Sequence, residues 1–589
     1  MVAKKDTQPN SRKSHIRRTD LSRFAMMVML IAAVNLAGSL FFTRIDLTSE
    51  KRYTLSPATR DMLRQLDDHV YFRVYLEGDF PAGFKKLRRE TKEMLDEFRA
   101  YSKFIGYEFV NPSAGENKQE RDETYKILIE RGLSPTDLQV RTKQGTQQQI
   151  IFPGALVYYR DREFPVELLD NQLNAPPEAV LNSSAQNLEF KLAEVIKKLS
   201  RLQKPAVAFI EGNGQLNSNE VFDITAELSD QYRVERIFPD GQVNSLIRRS
   251  EPDSEGNVRL QRNFEAVIIA RPLASFSEKD KFILDQFIMH GGKVLWLIDP
   301  VLTSMDSIQF SESTVGVDLK HNLDDQLFKY GVRLNRNLVL DLNSAAIPMR
   351  TGQVGNQPQI EFFRWHYFPL LNPASNHPLV RNLNSIKSEF VSSIDTVMVP
   401  GVKKTPLLKT SDYSRTVSTP ALITLAMLRE KPDERLYNRP GQITSWLLEG
   451  RFPSLFANRI APEIADSKEI GFKSESEPTA MIVVADGDII RNQFHIPNGY
   501  PLPLGFDQFT RQTFGNKDFI LNAVSYLVDG PGLVGIRSRE LKIRLLDMTQ
   551  VQDSRTFWQV INVAVPVLLV LLFGIVLAYL RKRKYSRQQ

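Results

Sequence analysis

The sequence predicts an α/β body flanked by two membrane-spanning helices. Three observations carry this reading. An uncharged apolar run lies near each end of the chain. Between them, short continuous apolar runs end in Gly or Asp and alternate with amphipathic stretches, the pattern of a parallel sheet covered on both faces. The positive charge is concentrated in the tails: residues 1–23 carry seven Lys/Arg against Asp6 and Asp20, and residues 581–589 carry five more.

Phe24–Phe42 holds 19 residues without a charge, and a hydrocarbon core about 30 Å thick needs about 20 helical residues. A cleaved signal would have a shorter apolar region ending at a small-x-small site. This run ends in Phe41-Phe42-Thr43-Arg44, so it reads as a retained anchor. The second run, Phe557–Leu580, has Trp558 and Tyr579 near its ends and Arg581-Lys582-Arg583-Lys584 directly after it. Interfacial aromatics and retained cationic flanks mark a membrane span rather than a buried core helix. Positive tails stay on the cytoplasmic side, so residues 43–556 are expected outside. The expectation is a two-pass inner-membrane protein with a periplasmic body. Its mean hydropathy of −0.28 and two spans are too little for a pore.

The net charge is +7, which leaves the body near neutral once the tails are set aside. A nucleic-acid binder would carry basic clusters in its folded part, so none is expected as a partner. The absence of Cys excludes disulfides, thiolate metal sites and a Cys nucleophile.

The first extracytoplasmic unit spans 45–200. His69–Glu77 is β-rich. Phe84, Leu87, Thr91, Met94, Leu95, Phe98 and Tyr101 then recur at helical spacing. A strand over Gly106–Val110 follows, then a hairpin from Ala155–Tyr159 and Glu163–Leu168, and a helix over 188–199. This β-α-β-β order predicts a thioredoxin-like domain, without the C-x-x-C of redox members.

The second unit spans 204–545. Ala206–Ile210 is a buried strand, followed by Glu211-Gly212-Asn213-Gly214 and a helix near Asn219–Tyr232. Ala266–Ala270 is the next strand. Ser277 and Asp280 open a helix as a capping box, Gly291-Gly292 stops it, and Lys293–Ile298 leads into Asp299-Pro300. The pattern returns at Met481–Ala485 with a helix around Lys517–Val528. One doubly wound domain with a long polar, Pro-rich insertion, about 305–475, accounts for this order.

Catalytic signatures are missing. Gly291-Gly292-Lys293-Val294 lacks the G-x-x-x-x-G-K-[ST] spacing and the magnesium-holding hydroxyl of an ATPase. The seven histidines show no H-x-x-x-H or H-E-x-x-H pattern for zinc, and no G-x-S-x-G elbow is present. No catalytic residue, metal ligand or cofactor is therefore assigned. The candidate ligand or partner surface is Glu211, Gly212, Asn213, Gly214 and Asp486, at strand ends where doubly wound sheets bind ligands. Asp299 joins Asp486 as a paired acid or, in the plainer reading, a turn cap.

Several stretches in order carry a family likeness: RIDLTSEKRYTLSPATRDML (44–63), VYLEGDFPAGFKKLRRETKEMLDEF (74–98), FIEGNGQ (209–215), FSEKDKFILDQFIMHGGKVLWLIDP (276–300), WLLEGRFPSLFANR (446–459) and NKDFILNAVSYLVDGPGLVGIRSRE (516–540). Over nearly its whole length the chain resembles the GldG family, gliding-motility-associated auxiliary components of ABC transporters in Bacteroidetes. The resemblance implies a second domain like a class I amidotransferase sheet without its chemistry. Members often carry a Gly-His-Gly-Glu turn, which reads Gly212-Asn213-Gly214-Gln215 here. It also implies a permease and a separate ATPase as partners, with envelope proteins outside. The expected function is thus a non-catalytic auxiliary subunit. The alternatives are a periplasmic solute receptor of an importer and, behind it, a hydrolase on an amidotransferase-like sheet.

Overall fold

The computed structural model describes residues 54–530 apart from 116, 143–144, 170–175, 202, 251–259, 310, 355–356, 382, 466 and 468–469; it also describes 532, parts of 21–35, and 555–586. Two compact units emerge: Tyr53–Glu540, and the two terminal segments together.

In the terminal unit, α-helix Arg555–Ser586 contains the one described stretch long and apolar enough to cross a membrane, Phe557–Arg583. The expected first span is described only as a shorter apolar helix over Phe24–Ala33. The rest of that span, most of the 1–23 tail and the end of the 581–589 tail lie outside the described residues.

In the body, the chain starts with Ser56, which caps helix α1 (Pro57–Arg64) by accepting the Thr59 N–H. Strand β1 (Val70–Val74), helix α2 (Ala82–Tyr101), strand β2 (Ile105–Phe109), helix α3 (Lys118–Glu130), strands β3 (Gly154–Tyr159) and β4 (Arg162–Glu167), and helix α4 (Leu188–Ser200) follow. The sheet order is β2-β1-β3-β4, with β1 parallel to β2 and antiparallel to β3. Phe84, Leu87, Leu95 and Phe98 line one face of α2 and bury against Val70, Phe72 and Val74 together with Leu192, Val195 and Ile196 of α4. Each such side chain contributes about 1.5–3 kcal/mol on leaving water. Leu128 of α3 covers Tyr75 and Leu156 on the opposite face.

The second part is built on five parallel strands: β5 (Ala206–Ile210), β6 (Arg233–Ile237), β7 (Ala266–Ala270), β8 (Lys293–Leu297) and, far downstream, Thr479–Val484. Their spatial order is β6-β5-β7-β8 and then Thr479–Val484, so the strand order reverses between β5 and β7. Helices cover both faces. Helix α5 (Phe222–Gln231) packs with the C-terminal helix Asn516–Asp529 on Val207, Phe209, Leu295 and Ile482. Helix α6 (Glu278–Met289) and helix α7 (Asp324–Tyr330) pack on Ile269, Trp296 and Val483. Burial on both faces is why β5, β7, β8 and Thr479–Val484 read as apolar runs, whereas the edge strand β6 is only partly buried and is not apolar. Ser277 accepts the Asp280 N–H at 3.1 Å to start α6. Gly291 ends it at φ +83°, and a Cβ on Gly292 would stand 2.4 Å from the Phe287 ring.

Strands from the stretch read as a long insertion, about 305–475, join the main sheet. After strand β9 (Val332–Leu334) come β10 (Ser344–Val354), β11 (Gln357–Pro373), β12 (Val402–Lys409) and β13 (Ile443–Gly450), which continue the sheet antiparallel beyond Thr479–Val484, here β14. With the short strand Ile386–Lys387 paired to β11, the sheet has ten strands among the described residues.

Asp529, the last residue of the C-terminal helix, ties the two parts of the body together. Its carboxylate is 3% exposed, meets Lys197 at 3.4 Å and Arg201 of the α4 end, and accepts the Tyr232 hydroxyl at 2.9 Å. Just beyond, a Cβ on Gly532 would stand 3.3 Å from that of Ala58. The first and last described parts of the body are thus adjacent.

Candidate functional site

The residues singled out from the sequence lie at the carboxyl ends of the parallel strands, where an open α/β sheet with a reversal in strand order presents its crevice. The loop after β5 is bonded there to the loop after β7. The Asn213 carbonyl accepts the N–H groups of Leu273 and Ala274 at 2.9 and 2.8 Å, and its side chain donates to the Ser275 carbonyl at 3.0 Å. Gln215 accepts the Asn213 N–H at 2.7 Å. Glu211 is drawn aside into an ion pair with Arg236. Gly212 and Gly214 take φ of +112° and +71°, so the two glycines serve a tight turn closed against the β7 loop.

Asp299 and Asp486 are brought together, with two residues that sequence reading did not single out. Arg271, directly after β7, places its Nε 3.0 Å from Asp299 and 3.1 Å from Asp488. Asp299 also accepts the Gly487 N–H at 2.5 Å. Asp486 accepts the N–H groups of Asp488 at 2.9 Å and Glu389 at 3.0 Å. The arrangement requires close backbone approach: a Cβ on Gly487 would stand 2.6 Å from the Arg271 side chain. Arg271 itself holds φ +53°, the left-handed region, a strain that its ion pairs offset.

Three carboxyl groups face one guanidinium in this buried cluster. Burial, joined by the charges of Asp299 and Asp488, raises Asp486 well above the usual carboxylate range. Burial and the Asp299 charge push Asp488 up to about 8, against the opposing pull of Arg271. Burial works against the Arg271 charge, but Asp488 and Asp299 outweigh it and hold the guanidinium protonated. Chemically the cluster is a clasp. Its acceptors are engaged by backbone N–H groups and one cation, and it ties the ends of β7, β8 and β14 together. Among the described residues no group of three or more His, Asp or Glu could hold a metal ion.

The raised Asp488 gives a pH signature. The folded state keeps its proton up to about pH 8, whereas the unfolded chain releases it near the ordinary aspartate value of 3.8. Its contribution to stability is therefore full below about pH 4 and is lost as pH rises through about 8. Asp488→Asn should flatten this part of the profile. In urea melts, the variant gains on the parent protein between pH 5 and pH 8; an unchanged difference at the two pH values would contradict the assignment.

Sequence comparison places this architecture among known proteins. Residues 204–523 match the family described as an ABC-type uncharacterized transport system, and that stretch is more than half of the chain. The chain belongs to this transport-system family. Residues 49–158 match a domain of unknown function, DUF7088. An uncharacterized protein of Borreliella burgdorferi is 20% identical over 559 residues, covering 93% of this chain and 95% of that protein. Among solved structures, the mmIFT52 N-terminal domain aligns with 55% of this chain and 97% of its own at 11% identity, with a TM-score of 0.30, too low to argue a shared fold.

Proposed function

We propose that the protein is a non-catalytic auxiliary subunit of an ABC transporter, anchored by two spans with both termini inside and its body outside. In this reading a separate ATPase and a polytopic permease complete the transporter in the inner membrane, envelope proteins contact the body, and the system serves gliding motility. The observation that carries the non-catalytic reading is the closed carboxyl edge of the sheet. Asn213 is hydrogen-bonded to the loop after β7, and the Asp299–Asp486–Asp488 acids are engaged by Arg271 and backbone N–H groups. An acid–base pair for catalysis needs instead a free face toward substrate. Family membership supports the transport assignment. The basic flanks of both apolar runs support the two-pass topology.

The fold reading belongs to the same proposal. The β2-β1-β3-β4 order, with one parallel and two antiparallel neighbours, supports a thioredoxin-like first domain. The reversal between β5 and β7 supports a doubly wound second domain of the amidotransferase-like kind.

Affinity purification of the full chain from gently solubilised membranes tests the function. An ATPase and a multi-span permease should co-elute in fixed ratio. Recovery of the chain alone, under conditions that preserve known transporter complexes, would sink the reading.

A further inference from the structure

Each apolar run carries an asparagine within the stretch that lipid would surround. Asn35 is exposed and donates one amide N–H to the Ile31 carbonyl of its own helix at 3.0 Å. An Asn side chain has two N–H donors and two acceptor lone pairs, so most of its bonding capacity is left for another partner. Asn562, in the helix Arg555–Ser586, is exposed as well. Four residues on, Pro566 stands inside that helix. Proline has no N–H, so the Asn562 carbonyl lacks its helical donor. Position 562 thus brings a side-chain amide and an unmatched carbonyl to one point. Hydrocarbon offers water to neither, and an unmet polar group there is costly. Such groups in a span face protein rather than lipid.

Depth selects the partner. With both tails inside, the two runs lie antiparallel, and their outer ends carry the aromatic pairs Phe41-Phe42 and Phe557-Trp558. Aromatic rings of this kind gather at the interface and set a common level. Asn35 lies seven residues inward of Phe42, and Asn562 lies five residues inward of Phe557. At 1.5 Å per helical residue these are depths of about 10 and 8 Å. Both asparagines therefore fall at one level of the outer half of the bilayer. A segment of the same chain is also present at high effective concentration, which favours it over a helix from elsewhere.

We infer that the two apolar runs pack as one helix pair joined at Asn35 and Asn562. The Asn35 amide donates to a carbonyl of Asn562, and its oxygen accepts from the Asn562 amide. The inference rests on the two-pass topology proposed above and goes beyond it. It makes the chain's own second span the partner of the first, so that a permease meets a paired unit and not two separate tethers.

The chain has no cysteine, so introduced pairs can be cross-linked without background. Ser39→Cys with Gln559→Cys leaves both asparagines in place and puts one thiol a helical turn outward of each, on the same face. Full-length protein in its membranes is oxidised with copper phenanthroline and then cut at a protease site inserted after Lys431, in an exposed turn. Fragments that stay joined on a non-reducing gel report the cross-link. Ser39→Cys with Phe573→Cys, about 20 Å deeper on the second run, is the control. The matched pair should cross-link at least about tenfold more than the control, because a disulfide needs Cα atoms within about 7 Å. Asn35→Leu should lower the matched cross-link at least about threefold. Adding Asn562→Leu should lower it no further, since the bond is already lost. Leucine favours insertion, so these variants still span. Equal cross-linking of matched and control pairs, a product joining two uncut chains, or an Asn35→Leu protein that cross-links as the parent does would each overturn the inference. Ser14→Cys and Ser586→Cys, probed on spheroplasts with a membrane-impermeant maleimide, keep the two readings apart. Both should stay unlabelled until lysis. Labelling of either from outside would overturn the two-pass topology itself, whereas protected tails without a matched cross-link would overturn the helix pair alone.

Discussion

Arg271→Met should destabilise the body by about 3–5 kcal/mol, the cost of removing one partner from a buried ion cluster. The variant leaves Asp299, Asp486 and Asp488 packed together without their shared cation. Relieving the left-handed φ of +53° is no compensation, because Met is no more at ease there than Arg. The loss should shrink in acid, where Asp486 and Asp488 keep their protons and need less counter-charge. Thermal melts of the full chain at pH 5 and pH 8 read both parts of the expectation. Arg271→Lys should recover only part of the stability, since the Nε that lies between Asp299 and Asp488 sits partway along the side chain, where Lys has a methylene and carries its charge further out. A melt of Arg271→Met unchanged at pH 8 would remove the clasp as a stabilising feature.

The second large effect is expected at Asp285. Its four acceptor contacts serve Tyr330, Gln286, Ser454 and Leu455, all within the core. Asp285→Ala leaves these donors without acceptors, at about 1–3 kcal/mol for each buried donor left unmade. The loss should be local as well as global. Hydrogen exchange should quicken at the Leu455 amide and its neighbours before the sheet core responds. Asp285→Asn keeps one acceptor oxygen and should fall between the two. Unchanged exchange around Leu455 in a folded Asp285→Ala protein would show that the 454–455 segment is held by packing alone.

The central parallel strands were legible because both of their faces are buried: Ala266–Ala270 and Lys293–Leu297 read as apolar runs whichever neighbours they have, while the edge strand Arg233–Ile237, partly exposed and charged, was not. The stop at Gly291-Gly292 and the cap at Ser277 were legible because those devices are local. Residues 344–450 were not. Strand β11 is exposed at its start and buried further on, prolines interrupt β10, β11 and β12, and the β10–β11 and β12–β13 pairings shift register. None of that leaves a clean period of two. At the strand ends, Asp299 and Asp486 stood out because they follow apolar runs. Arg271 did not, because its partner Asp299 lies 28 residues on and Asp488 beyond another long stretch of chain. The Asp285–Ser454 contact spans 169 residues, and no pattern in one sequence reports such a pair. The Arg-Pro step after β7 and the Asp-Gly-Asp of 486–488 were the local signals available.

The adjacency of Ala58 and Gly532 has a mechanical consequence. Ala58 and Gly532 stand side by side, so pulling those two points apart loads first what lies next to them, α1 and the Asp529 contacts to Lys197, Arg201 and Tyr232, rather than the strands of the ten-stranded sheet.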